Sequence, residues 1–192
     1  MDKWNKLYSE GAKYRPINEE FLNKLLLEIN KKTGESPKTL IDLGCGPGDS
    51  LISFIKKGFS VVGIDFSKVA LEKAKQNLDK LGLKAELIQM DLENLNIYKK
   101  ADVIFCKLVL AFIKNKSKFL KIVKKMMNEN SSFVLITPVL YKNIEYTKKD
   151  KPGIAIYFKE LDELLNNVFT SINIINKESF GDNGEILTFL LK

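Results

Sequence analysis

An α/β fold, with a mostly parallel sheet covered on both faces by helices, is the class this sequence predicts. Three features point to it. Short apolar runs alternate with segments whose apolar residues recur at helical spacing. One run, at 40–50 (LIDLGCGPGDS), breaks into Gly44, Gly46 and Gly48 and then opens a helix, as a strand-to-helix turn on bare backbone does. Finally, the turn signal Asp182-Asn183-Gly184 between the apolar runs 172–175 and 186–191 predicts a closing antiparallel pair.

The elements follow in order. Asn18 is placed to cap a helix whose stripe is Phe21, Leu22, Leu25 and Ile29, closed by Gly34 and Pro37. A strand is expected at 39–43, a helix at 49–57 stopped by Gly58, and a second strand in the run 61–67. A helix at 69–81 carries Leu71, Ala74, Leu78 and Leu81 on one face, with Ser67 as its cap and Gly82 at its end. Further strands are expected at 85–90 and 101–106. A helix at 116–127 with the stripe Phe119, Ile122, Val123 and Met126 follows, then a strand at 132–138 and a helix at 158–168.

Composition fits one domain. The chain has 192 residues, 45% hydrophobic and 29% charged, the balance of an ordinary globular protein with a core of useful size. No apolar stretch has the length of a membrane span and the start, MDKWNKLYSEG, lacks a signal-peptide core, so a cytoplasmic protein is expected. Cys45 and Cys106 lie at expected strand ends in apolar settings and read as packing residues; no metal site is expected, as there is no histidine to complete one. The net charge of +7 comes from thirty lysines and one arginine, Arg15. Phosphate and base readers lean on the arginine fork, so this charge argues only weakly for nucleic acid.

The glycine turn suits a nucleoside lying against backbone. Asp49 stands where a Gly-x-Gly-x-x-Gly dinucleotide site needs its third glycine, and a carboxylate there repels a diphosphate while tolerating a phosphate-free, cationic ligand. A second run, at 61–67 (VVGIDFS), ends in Asp65, about 20 residues after Gly44, where a carboxylate accepts ribose hydroxyls in a βαβ unit. Asp65 also suits a helix cap, and the glycines a plain tight turn, so each alone is ambiguous.

Together the runs 40–50, 61–67, 88–92 (IQMDL) and 102–113 (DVIFCKLVLAFI) resemble, in order, the four motifs of the class I S-adenosylmethionine-dependent methyltransferases. The resemblance implies a Rossmann-like, mostly parallel seven-stranded sheet with helices on both faces and an antiparallel last strand. S-adenosyl-L-methionine would be the cofactor. Asp42 and the backbone of Gly44, Cys45, Gly46 and Gly48 would face its methionyl part, with Asp65 on the ribose and Phe66 on the adenine. Asp91 would accept from the adenine amino group, the Leu92 amide would meet the ring edge, and the carbonyls of Cys106 and Lys107 would accept from the methionyl ammonium. The histidine that many small-molecule members of that family carry near the position of Ala111 is absent, as the chain has no histidine, which excludes an imidazole base. The Asn/Asp-Pro-Pro-aromatic signature of amino-methylating nucleic-acid enzymes is replaced by Phe105-Cys106-Lys107-Leu108.

The resulting expectation is a single methyltransferase domain over 1–192. It comprises an arm and helix at 1–34, a cofactor-binding core at 39–135 and an acceptor-side insert at 139–157. The expected activity is methyl transfer to a small molecule by in-line displacement, without a membrane partner and with nucleic acid disfavoured. An RNA or protein methyltransferase and a non-catalytic cofactor-binding module are the alternatives. Acceptor contacts are expected from the aromatic arm (Tyr8, Tyr14, Arg15) and from the insert (Tyr141, with Glu145, Tyr146, Asp150 and Tyr157 nearby). Trp4 and the tyrosines suit equally well a role in pinning the arm to the sheet. No catalytic residue is assigned.

Overall fold

The structure is a computed structural model that describes residues 2–12, 16–33, 37–97, 99–141, 154–181 and 184–192. Gly34, Asp182 and Asn183, named above as turn residues, lie outside the described residues, as do Glu145, Tyr146 and Asp150.

The chain runs α1 (Asp2–Ser9), α2 (Glu19–Thr33), β1 (Thr39–Leu43), α3 (Asp49–Lys56), β2 (Ser60–Asp65), α4 (Lys68–Lys80), β3 (Glu86–Gln89) and β4 (Ala101–Lys107). It continues with α5 (Lys116–Lys125), β5 (Met127–Leu140), β6 (Ile156–Tyr157), α6 (Phe158–Asn166), β7 (Ile172–Phe180) and β8 (Gly184–Leu191). The sheet order is β3-β2-β1-β4-β5-β8-β7. Pairings from β3 through β5 are parallel, and β8 runs antiparallel to both β5 and β7. This is the expected seven-stranded sheet with a reversed last strand, plus the two-residue β6. Because β8 already pairs with Val139 and Leu140 on one edge of β5, β6 takes the other edge, beyond Ile136 where β4 ends.

Each sheet face has its own core. On one, Leu40, Val61, Val103, Phe105 and Val134 meet Leu22, Leu25 and Ile29 of α2 and Leu51 and Phe54 of α3. On the other, Ile41, Ile64, Ile104, Phe133 and Leu135 meet Phe119 and Val123 of α5 and Leu161 and Leu165 of α6. Among its described residues the crossover from β3 to β4 carries no α-helix. A single 3-10 turn, Leu92–Asn94, replaces it, and Leu92 and Leu95 supply the apolar cover.

Sequence periodicity misplaces three features. Residues 2–9 of the arm form a helix, whose Trp4 and Tyr8, four apart, share a face. Leu81 is half exposed, since the helix ends at Lys80 before its turn reaches the sheet. Met127, expected in a helix, opens β5: α5 stops at Lys125 and the strand starts early, with a register shift between its pairings to Ala101 and Val103. Ser131 Oγ bridges that irregularity, donating to Ala101 O at 2.7 Å and accepting from Asn128 N at 2.7 Å.

Phe54 is fully buried with its ring edge-on to Phe59 (5.5 Å) and Phe105 (5.1 Å). Phe54→Ala removes the joint between α3, β4 and the turn that leads into β2, and is expected to lower the unfolding free energy by about 3–5 kcal/mol in urea titrations. A loss below about 1 kcal/mol contradicts this packing.

Candidate functional site

At the sheet's switch point β1 has β2 on one side and β4 on the other, so the strand ends diverge and leave a crevice. The turn after β1 is drawn tightly into it. Gly44 and Cys45 N–H both donate to the Ile64 carbonyl, at 2.7 and 3.0 Å. Gly44 (φ 82°) and Gly46 (φ 52°) take left-handed backbone, and a Cβ on Gly44 would fall 2.4 Å from Val109 Cγ2. On Gly46 it would meet the Tyr8 hydroxyl at 3.0 Å. Bare backbone therefore forms the floor of a cleft of about 470 Å³, a size common for small-ligand sites.

Five carboxylates line the cleft, and three of them, at the strand ends, are fixed in different ways. Asp65 closes β2 and accepts from Gly46 N–H and Ser67 N–H, both at 2.9 Å. Burial raises its pKa, opposed by the N–H groups of Ser67, Gly46 and Phe66. Asp91 caps the turn Leu92–Asn94 by accepting from Glu93 N–H at 3.0 Å. Asp42 is 2% exposed, and its Oδ2 has no hydrogen-bond partner. Burial pushes its pKa up to about 7, against the lowering effect of Lys107 and with a further rise from Asp65.

The mouth is aromatic. Trp4 of α1 packs edge-on against Phe112 at 4.9 Å and stacks with Tyr8 at 6.1 Å. The arm is tied down by Ser67 Oγ, which donates to Asn5 Oδ1 at 2.6 Å while capping α4, and by Lys73, whose ammonium donates to the Tyr8 carbonyl. On the opposite lip Glu93 accepts from Lys114 N–H. Leu108, the single non-glycine residue with positive φ among those described (60°), turns the chain sharply after β4, and its N–H donates to Ile136 O at 2.8 Å.

Most residues singled out in the sequence converge here. Asp42, Gly44, Cys45, Gly46, Asp65, Phe66, Asp91, Leu92, Lys107 and Tyr8 all line the cleft. Gly48 stands just behind, at the N-cap of α3. Tyr141 is not in the lining; it lies past the end of β5, where its hydroxyl donates to Glu185 and its ring packs 5.4 Å from Phe158. Tyr14 and Arg15 lie outside the described residues. Sequence reasoning missed Val109, Phe112, Glu93 and Lys114. The first two fall inside the run 102–113, three apart, and that helical spacing was the available signal.

Residues 35–179 match a family model described as a methyltransferase domain. The chain belongs to the methyltransferase domain family. Among the relatives of this methyltransferase-family chain, the ubiquinone biosynthesis O-methyltransferase of Rickettsia prowazekii (strain Madrid E) is 28% identical over 135 residues, covering 70% of this chain and 53% of that protein. The chain spans about half the length of the curated relatives it matches. An S-adenosylmethionine-dependent methyltransferase from Clostridium acetobutylicum ATCC 824 has a crystal structure with a TM-score of 0.70 at 19% identity, covering 100% of this chain and 96% of that one. The plantazolicin methyltransferase BamL, crystallised with a triazolic desmethylPZN analog and SAH, gives a TM-score of 0.70 at 18% identity, covering 89% of this chain and 83% of that one. The shared architecture is the class I methyltransferase fold.

In this methyltransferase fold Asp42 sets a pH dependence. Its folded pKa, about 7, exceeds the ordinary 3.8, so the folded state holds an extra proton between those values and stability falls as pH rises across that window. Denaturant titrations without ligand should show the wild type losing, relative to Asp42→Asn, on the order of a few kcal/mol over that range. A difference that does not change with pH contradicts the assignment.

Proposed function

We propose that this chain is an S-adenosylmethionine-dependent methyltransferase that transfers a methyl group to a small-molecule acceptor. One observation carries the reading: a buried Asp42 oxygen without a hydrogen-bond partner faces a cleft floored by glycine backbone. Such a site suits a ligand with a cationic end and no phosphate. Asp49, which also lines the cleft at the start of α3, disfavours a diphosphate there. The O-methyltransferase of ubiquinone biosynthesis among the relatives, and SAH in complex with a protein of the same fold, support the same donor and a small acceptor.

The donor-holding roles follow the strand ends of the core at 39–135. Asp42 and the Cys106 and Lys107 carbonyls would take the amino-acid part, over the backbone of Gly44, Cys45 and Gly46. Asp65 keeps lone pairs free after its two backbone bonds and would accept from the ribose hydroxyls. Phe66 and Leu92 would flank the base, and Asp91 would accept from its amino group. S-adenosylmethionine, when bound, supplies a methyl group already activated on a positively charged sulfur. What remains for the protein is orientation and exclusion of water, and orientation alone supplies roughly 7–11 kcal/mol of such a barrier. Trp4, Tyr8 and Phe112 close the mouth from the acceptor side. An acceptor that arrives nucleophilic needs no base.

Asp65→Ala is expected to weaken S-adenosylmethionine binding by about 1–3 kcal/mol in isothermal titration calorimetry, through loss of a charged acceptor. An unchanged dissociation constant in a folded variant refutes that role. The function itself is tested by incubating the protein with methyl-labelled S-adenosylmethionine and a metabolite extract. Label in a small molecule is the expected result; binding of NAD in place of S-adenosylmethionine, with no transfer, overturns it.

A further inference from the structure

The cleft holds a cation that its expected ligand does not need. Asp42 of β1 pairs in register with Phe105 of β4, and Leu40 pairs with Val103 on the same face. Lys107 is the next side chain of β4 on that face, so Asp42 and Lys107 are diagonal neighbours across adjacent strands, and both line the cleft. The influence of Lys107 on Asp42 ionisation agrees with that placement. A carboxylate buried here is thus offset by an internal ammonium, and a cationic ligand enters a site where the opposing charge is already partly answered.

We propose that the Lys107 side chain sets the discrimination between methyl donor and demethylated product, weakening the donor relative to the product. This rests on reading the cleft as the S-adenosylmethionine site. Donor and product share adenosine, α-ammonium and α-carboxylate, so any effect of Lys107 on those groups cancels in the ratio of their affinities. They differ at sulfur, which is positive in the donor and a neutral thioether in the product. An ammonium lining the same cleft repels the charged sulfur of the donor and leaves the neutral thioether of the product unaffected. The same repulsion is relieved as the sulfur loses its charge, so Lys107 favours progress of the transfer over tight ground-state binding.

The test is calorimetric titration of S-adenosylmethionine and S-adenosylhomocysteine into wild type, Lys107→Met and Lys107→Arg, with Lys107→Gln as the second neutral variant should the methionine variant fold poorly. The ratio of the donor's dissociation constant to the product's should fall on the order of tenfold in the neutral variant, the size of a unit-charge interaction several ångströms away in a cleft. Lys107→Arg should keep the ratio within about twofold. Asp65→Ala, which removes a contact both ligands share, should weaken both alike. An unchanged ratio in a neutral variant that still binds both ligands overturns the role of Lys107 and leaves the cleft assignment standing. If wild type binds neither ligand, both fall together.

Discussion

A carboxylate buried at the end of a central strand with one oxygen unsatisfied is the constraint on which the cleft depends. Asp42 stands between Gly63 of β2 and Phe105 of β4, directly after the buried Ile41 on its own strand and beside the buried Ile104. Isolated charge there is expensive, and the group responds by holding its proton to an unusually high pH. The rigid parallel core leaves the side chain nowhere to turn. Everything around the site accommodates this: the Lys107 cation opposes the rise, and Asp65 spends part of its own capacity on backbone N–H groups.

The turn after β1 connects that constraint to shape. Two N–H groups on one carbonyl, that of Ile64, pull Gly44 and Cys45 against β2, and the third N–H, from Gly46, reaches Asp65. Val109 then fills the space a side chain at Gly44 would need. Backbone, carboxylate and strand end are thereby held in one geometry before any ligand arrives, and preorganisation of this kind lowers what binding must spend on ordering. The strained Leu108 lies on the same lip, a placement common where a fold positions functional groups.

Much of this was legible in the sequence because it is local. The glycine spacing, Asp65 some twenty residues on and the order of the four motifs identified the strand ends that meet in the cleft, and ten of the cited residues line it. What escaped is tertiary. Nothing in residues 2–9 announces a helix docked on α4, since its bonds to Ser67 and Lys73 come from more than sixty residues away. The early start of β5 at Met127 follows from pairing with Ala101, which overrides the helical periodicity that runs through Met126. Tyr141 looked like an acceptor contact because it opens a long connection, yet Glu185 and Phe158 hold it beyond the cleft lining. β6 has two residues and no periodicity to read.

The central claim is that a cationic ligand drives Asp42 to give up its proton and stand ionised beside the bound charge, and proton release on binding measures that directly. S-adenosylmethionine titrated at pH 7 into wild type and Asp42→Asn, each in buffers of differing ionisation enthalpy, gives the number of protons exchanged per ligand. With a pKa near 7 in the free protein and a much lower one beside a bound cation, wild type should release about half a proton more than the variant. Equal proton exchange in the two proteins, with binding intact, contradicts the account.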